Sequence, residues 1–219
     1  MTRRILVALA FILTAAQAGV HVGTFSQEVR TFFTTADGLP SNDVLDVAIA
    51  NGRVYAKTAG AVSVFTSGKW IAADPSQVKF REGSARLAAA DSKGIIWLAH
   101  VEAVERRGEG RVKAFTAADG LPYDDFTATA VNDNGVVWFG THKGAIRFDG
   151  TTWEYRQGLR WLPDDDVRGV AVEVNGNAWF ATKNGVGLIS HRPVTFAEKA
   201  KFFEDEIDKR HRRTPYGYV

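Results

Sequence analysis

The sequence predicts an all-β fold: a β-propeller of about four four-stranded blades, partial or small, followed by a C-terminal α-helix. Two markers predict it. The first is Val136-Val137-Trp138-Phe139-Gly140-Thr141-His142-Lys143-Gly144. It returns one period later as Asn177-Ala178-Trp179-Phe180-Ala181-Thr182-Lys183-Asn184-Gly185. A weaker copy places Trp97 one period earlier, and Tyr55 fills the tryptophan slot one period before that. The second marker, Asp37-Gly38-Leu39-Pro40, comes back after two periods as Asp119-Gly120-Leu121-Pro122, and Leu162-Pro163 lies one period further on. Two markers in phase define a repeat, and a period of roughly forty residues belongs to propeller blades or helical arrays. A helical array fails on periodicity. Gly, Asn or Asp cuts the units every four to seven residues, so apolar spacings of three and four cannot be sustained.

Taken in order, residues 1–18 read as an export signal: a basic start at Arg3-Arg4, an apolar run from Ile5 to Ala16, and small residues at Ala16-Gln17-Ala18 for cleavage. The run is too short for a comfortable membrane anchor, which takes about 20 residues. Residues 19–27 form a linker, and Glu28–Thr34 reads as an outer strand. The blades fall at about 37–73, 84–115, 119–156 and 162–192. Each opens with a strand rich in Ala and β-branched residues (Val44–Ile49, Ala85–Ala90, Phe126–Val131, Val167–Val172). A turn built on Gly with Asn or Asp follows, since these residues tolerate positive φ. The aromatic-marked strand comes next, then Ala61–Phe65, Ala145–Phe148 or Val186–Ile189, and a last strand carrying Trp70 or Trp153. Residues 193–219 are a helix and tail. Thr195 and Glu198 make a capping box, and Phe196, Ala200, Phe203 and Ile207 share one helical face. A further domain or partner chain is expected to pack on 196–207.

Composition excludes several classes. There are 27 basic and 25 acidic residues, and loss of Arg3 and Arg4 with the leader leaves the rest formally neutral. That balance gives no basis for nucleic-acid binding. After the leader no stretch is apolar enough to span a membrane. With no cysteine, disulfides, thiolate zinc sites and cysteine nucleophiles are excluded, and the fold must rest on burial. No Gly-x-Ser-x-Gly, His-Glu-x-x-His or phosphate-cradling Gly-Lys-Ser/Thr motif is present. Asp164-Asp165-Asp166 lacks the alternating oxygens and glycine of a calcium loop. The expectation is therefore no catalytic residue, metal or cofactor in this chain.

The pattern Asp-Gly-Leu-Pro, strand, Asp/Asn-x-x-Gly, Val-Trp-x-Gly-Thr-x-x-Gly, Arg-Phe-Asp-Gly resembles the two-component regulator propeller repeat of bacterial extracytoplasmic sensors. Residues 119–153 match best, 37–70 and 162–189 fairly, and 84–115 poorly, because Ala99-His100 and Ala103 replace the expected Gly-Thr and glycine. The resemblance implies an exported blade architecture and leaves the ligand open. The helix and tail also look like the linker between such propellers and an α-helical toroid domain of larger exported proteins.

In this architecture the repeated tryptophans pack blade against blade, which is a better reading than a sugar-stacking ladder. Binding falls instead to the face where the loops into the first strands meet the loops between the second and third. The candidates there are Tyr123, Asp124, His142, Lys143, Asp165, Arg168, Lys183, Asn184 and His100. The expected function is recognition or sensing of an extracellular ligand, a glycan or a protein. The alternatives are the N-terminal part of a polysaccharide-processing enzyme and a structural scaffold. As for closure, Glu28–Thr34 either pairs with Val186–Ile189 or the arc stays open. The open arc is the expectation, because the helix at Thr195 takes the place of a closing strand.

Overall fold

The computed structural model describes Gly23, residues 25–210, 213–214 and 217–218; the export signal read at 1–18 lies outside the described residues. Among the described residues, four four-stranded sheets form the propeller. Strand β1 (Phe25–Phe33) comes first in the chain. Blade 1 is β2 (Val44–Ala50), β3 (Arg53–Thr58), β4 (Val62–Thr66) and β5 (Lys69–Ala72). Blade 2 is β6 (Ala88–Ala90), β7 (Ile96–His100), β8 (Ala103–Gly108) and β9 (Arg111–Phe115). Blade 3 is β10 (Phe126–Val131), β11 (Val137–Thr141), β12 (Gly144–Phe148) and β13 (Trp153–Arg156). Blade 4 is β14 (Val167–Val172), β15 (Ala178–Thr182) and β16 (Gly185–Val194), completed by β1 in the order β1-β16-β15-β14.

That last pairing corrects the expected open arc. The outer strand closes blade 4, and β16 runs on to Val194 before the chain turns helical. Gly185 shows how the chain allows it. At φ +121°, its missing Cβ would sit 2.3 Å from the Phe33 carbonyl oxygen; in blade 3, Gly144 (φ +140°) stands 2.5 Å from the Arg156 carbonyl in the same way. A fourth strand passes over the same glycine in both blades, and only in blade 4 does it come from the N-terminal side. Arg156 then pins β1 to blade 3, its Nε donating to Glu28 Oε2 at 2.7 Å. Burial opposes the Arg156 charge, but Glu28 and Glu154 outweigh it and hold the guanidinium above its ordinary pKa.

The seams between blades carry the core. Trp97 of blade 2 packs with Phe139 and Phe148 of blade 3. Trp138 of blade 3 meets Phe180 of blade 4 edge-on at 5.1 Å. Trp179 of blade 4 packs on Phe65 and Trp70 of blade 1. The leucine of the second marker plugs the same seams: Leu39, Leu121 and Leu162 are all buried, one in each cluster. The fourth seam, between blades 1 and 2, is built differently. Tyr55, Val62 and Val64 of blade 1 pack on Val78 and Phe80 from the connector between the blades. The strand expected over Ala85–Ala90 is correspondingly short: residues Gly83–Leu87 form a 3-10 turn and only Ala88–Ala90 extend. Gly83 sits at φ +53°, and Arg86 is tied back to the Leu45 carbonyl of blade 1, so the chain steps across the seam before it can straighten.

Helix α1 (Phe196–Arg210) starts as its capping box dictates, the Glu198 amide donating to Thr195 Oγ1 at 3.2 Å and the Thr195 amide to Glu198 Oε2 at 2.7 Å. It belongs to a compact unit separate from Ser26–Arg192. Side chains 203 and 207 of the expected stripe lie outside the described residues, and Phe196 is exposed.

Candidate functional site

The innermost strands β2, β6, β10 and β14 surround a cavity of about 440 Å³. Their sequences keep it open. Ala48, Ala89, Ala130 and Ala171 recur once per repeat, each facing the aromatic slot of its neighbour: Tyr55, Trp97, Trp138 and Trp179. A large residue on the second strand, buried in a seam, is matched by a small one on the first, at the cavity wall.

The mouth of the cavity is a second space of about 410 Å³. It too follows the repeat, since Leu45, Arg86, Thr127 and Arg168 occupy one slot in successive units and all line it. In blades 1, 3 and 4 a bulge at this slot breaks the ladder between Val44 and Asp46, Phe126 and Ala128, and Val167 and Gly169. A bulge re-aims the extra side chain, and here it aims it at the opening. Gly169 makes further room: a Cβ there would lie 2.1 Å from Asp46 Oδ1.

Loops on this face are knitted across blades. His142 Nδ1 lies 2.6 Å from Asp166 Oδ1, joining blade 3 to the entry of blade 4. Arg168 donates to Asp166 at 3.3 Å and reaches Asp43, at the entry of blade 1, at 2.5 Å. Burial pushes the Asp166 carboxyl up, but the bonds from His142 and Arg168 outweigh it and hold it below its ordinary pKa. Asp164 takes Asn184 Nδ2 at 2.9 Å and Lys183 Nζ at 3.4 Å. Asp165 accepts from the Gly158 amide at 2.6 Å. The aspartate triplet is thus spent on three separate tethers.

His142, Arg168, Lys183 and Asn184 therefore converge on Asp164–Asp166. Tyr123 stacks on Tyr155 at 6.4 Å, and Tyr155 donates to the Lys143 carbonyl, which places both beside this group within blade 3. Asp124 serves the turn, its carbonyl accepting from Phe126. His100 stays in its own blade, 3.9 Å from Glu105.

Sequence reasoning missed Asp46, Arg81 and Arg86. Arg81 Nη2 donates to the Thr129 carbonyl of blade 3 at 2.5 Å, and Nη1 to the Ala88 carbonyl of blade 2. Arg86 Nη2 lies 3.2 Å from the Leu45 carbonyl and 3.6 Å from Asp46 Oδ1. Arg81 keeps contact with water through the cavity, yet the surrounding strands strip enough solvent to lower its pKa despite Asp46. Burial raises the pKa of Asp46 against the pull of Arg86, the Val47 amide, Arg81 and Lys57. A signal for both arginines was present. One period after Leu39-Pro40 stands Phe80-Arg81, and one period after Leu45 stands Arg86.

The sequence matches no protein-family model. No curated protein matches it. Among solved structures, it is similar to the extracellular domain of a proposed hybrid two-component system from B. thetaiotaomicron, at 22% identity and TM-score 0.42, over 72% of this chain and 23% of that one. A second such domain from the same organism gives 16% identity and TM-score 0.37, over 71% and 22%. Streptogramin B lyase gives 16% and 0.39, over 70% and 53%. The chain spans between about a quarter and a half of these relatives. No helix among the described residues is long and apolar enough to cross a membrane.

Proposed function

We propose that this chain is an exported, non-catalytic β-propeller module that recognises an extracellular ligand, a glycan or a protein, on the face where the loops are knitted together. One observation carries the reading. The chain His142–Asp166–Arg168–Asp43 ties three blades around the mouth of the central cavity. Cross-blade tethers fix the positions of exposed polar groups before a ligand arrives, so less ordering entropy is lost on binding. Tyr123, Lys143, Lys183 and Asn184 surround this frame as contact residues, with His100 further out on blade 2. An additional proposal is that a further domain or partner chain packs on 196–207, the segment whose apolar residues recur at helical spacing.

The test is a binding screen of the full chain against an array of neutral and acidic glycans and a panel of extracellular proteins. It is repeated with the His142→Ala/Lys183→Ala variant. The expected result is a specific binder whose affinity falls at least tenfold in the variant while the thermal midpoint stays within a few degrees. Binding that the variant leaves intact would remove the loop face from the account.

A further inference from the structure

We propose that the central cavity takes the oxyanion group of a small ligand, a carboxylate or phosphate, held by Arg81 and Arg86 with Lys79 beside them. This deepens the recognition reading and rests on it, since the mouth of the cavity opens among the knitted loops.

Charge is the first ground. Lys79, Arg81 and Arg86 line the cavity, and Asp46 is the carboxylate there among the described residues. At the mouth, Lys57 and Arg168 add two cations, but these are engaged, Lys57 with Glu82 at 3.5 Å and Arg168 with Asp43 and Asp166. Within the cavity the balance is therefore positive. Arg81 hydrogen-bonds to the carbonyl oxygens of Ala88 and Thr129, which orient a guanidinium without neutralising it. Asp46 is shared between the two arginines and spends Oδ1 on the Val47 amide at 2.9 Å.

The second ground is a missing partner. Among the described residues, Arg86 Nε is buried and has no hydrogen-bond acceptor. Leaving such a donor unmade is costly, more so on a charged group. The Arg86 side chain as a whole is partly exposed, and a turn that brings Nε to the cavity wall would let a planar oxyanion satisfy it, because guanidinium donors match the oxygens of carboxylate and phosphate.

Third, the fold departs from its own repeat to put these groups there. The slot held by Pro40, Pro122 and Pro163 in the other units holds Arg81. Phe80 beside it still does the packing work of the leucine. The substitution leaves the seam plugged and brings a cation to the cavity. The alanine walls at 48, 89, 130 and 171 leave about 440 Å³, within the usual range for a small-molecule site.

The experiment is calorimetric titration of the full chain with citrate, inorganic phosphate and pyrophosphate, with glucose as the neutral control, at low and high salt. Thermal melts run in parallel, since a ligand of the folded state raises the melting temperature. At least one oxyanion should bind and glucose should not. Citrate alone assigns a carboxylate source, and the phosphates alone assign a phosphate source. Arg86→Gln should weaken binding at least tenfold, and Lys79→Gln about three- to fivefold. Lys93→Ala, on a distant turn, should change nothing. Because Arg86 also bridges blades, its variant could unfold, but Lys79 has no such role and keeps the test decisive. Oxyanion binding that is undiminished in both variants would place the anion elsewhere and overturn the proposal. So would the absence of heat and of any melting shift with all three oxyanions. A ligand from the array screen whose binding depends on His142 and Lys183 but ignores Arg86→Gln would leave recognition standing and remove this inference alone.

Discussion

The seam between blades 3 and 4 and the seam between blades 1 and 2 solve one packing problem in two ways. In the first, Trp138 and Phe180 are almost fully buried against each other, and Leu162 closes the gap without solvent contact. In the second, the aromatic slot holds Tyr55, whose partners are Val78 and Phe80 of the connector instead of a neighbouring strand. Its hydroxyl reaches Gln77 at a long 3.4 Å, and across the gap Ile96 of blade 2 is left 40% exposed. Blade 2 is also where the loop threonine is lost. Thr141 and Thr182 donate to the carbonyls of Gly144 and Gly185 at 2.8 Å, whereas His100 stands in that slot. Rigidity is concentrated in three seams, and the polar groups of the cavity enter through the fourth.

This contrast can be broken from its strong side first. Trp138→Ala should cost about 3–5 kcal/mol, the usual penalty for truncating a large buried aromatic, read as a lower urea midpoint. Gly185→Ala should cost about 1–3 kcal/mol, because it forces an unfavourable φ and drives a methyl into the Phe33 carbonyl. It should also open β1 to protease ahead of the other strands. Phe80→Ala, at the weaker seam and only half-buried, should cost roughly 1–2 kcal/mol by loss of apolar burial. A loss equal to that of Trp138→Ala would erase the distinction between the seams.

A smaller effect lies in the outer turns. In blade 3, Asp149 accepts backbone hydrogen bonds from Thr152 and Thr151, and these bring its carboxyl from the ordinary 3.8 down to about 2. In blade 1 the equivalent turn holds Ser67-Gly68. A depressed carboxyl contributes stability that is present above its unfolded pKa and lost as the pH falls through its folded one. The stability difference between wild type and Asp149→Asn should therefore be constant above about pH 5 and shrink between pH 4 and pH 2. A flat difference down to pH 2 would contradict the assignment.

The propeller was legible because its markers are packing residues. Trp97, Trp138 and Trp179 recur for the same reason they are buried, as seam filler. Closure was legible too, though only through Gly185. A glycine in the slot of Gly144 implies a strand crossing over it, and β1 is the strand at hand. The helix at Thr195 misleads on this point, since its start does not prevent β16 from pairing with β1. The charged cavity was obscured for a different reason. Phe80-Arg81 does not look like Leu-Pro, and Ala85–Ala90 has the composition of a strand. Only counting one full period from Leu39-Pro40 and Leu45 shows that Arg81 and Arg86 are in register with the inner face. The tethers of Asp164, Asp165 and Asp166 were beyond reach of the sequence, since three adjacent carboxylates with three different partners look the same as a cluster.

Native-state hydrogen exchange tests the central claim, a ring closed by β1 with three packed seams and one connector-filled seam. Amides deep in packed sheets open only with global unfolding, while lightly packed segments open at lower free energy. Val29 and Phe33 in β1 should exchange on the slow timescale of β11 and β15, and residues 75–87 of the connector should exchange much earlier. Fast exchange across β1, or a connector as protected as β11, would contradict the account.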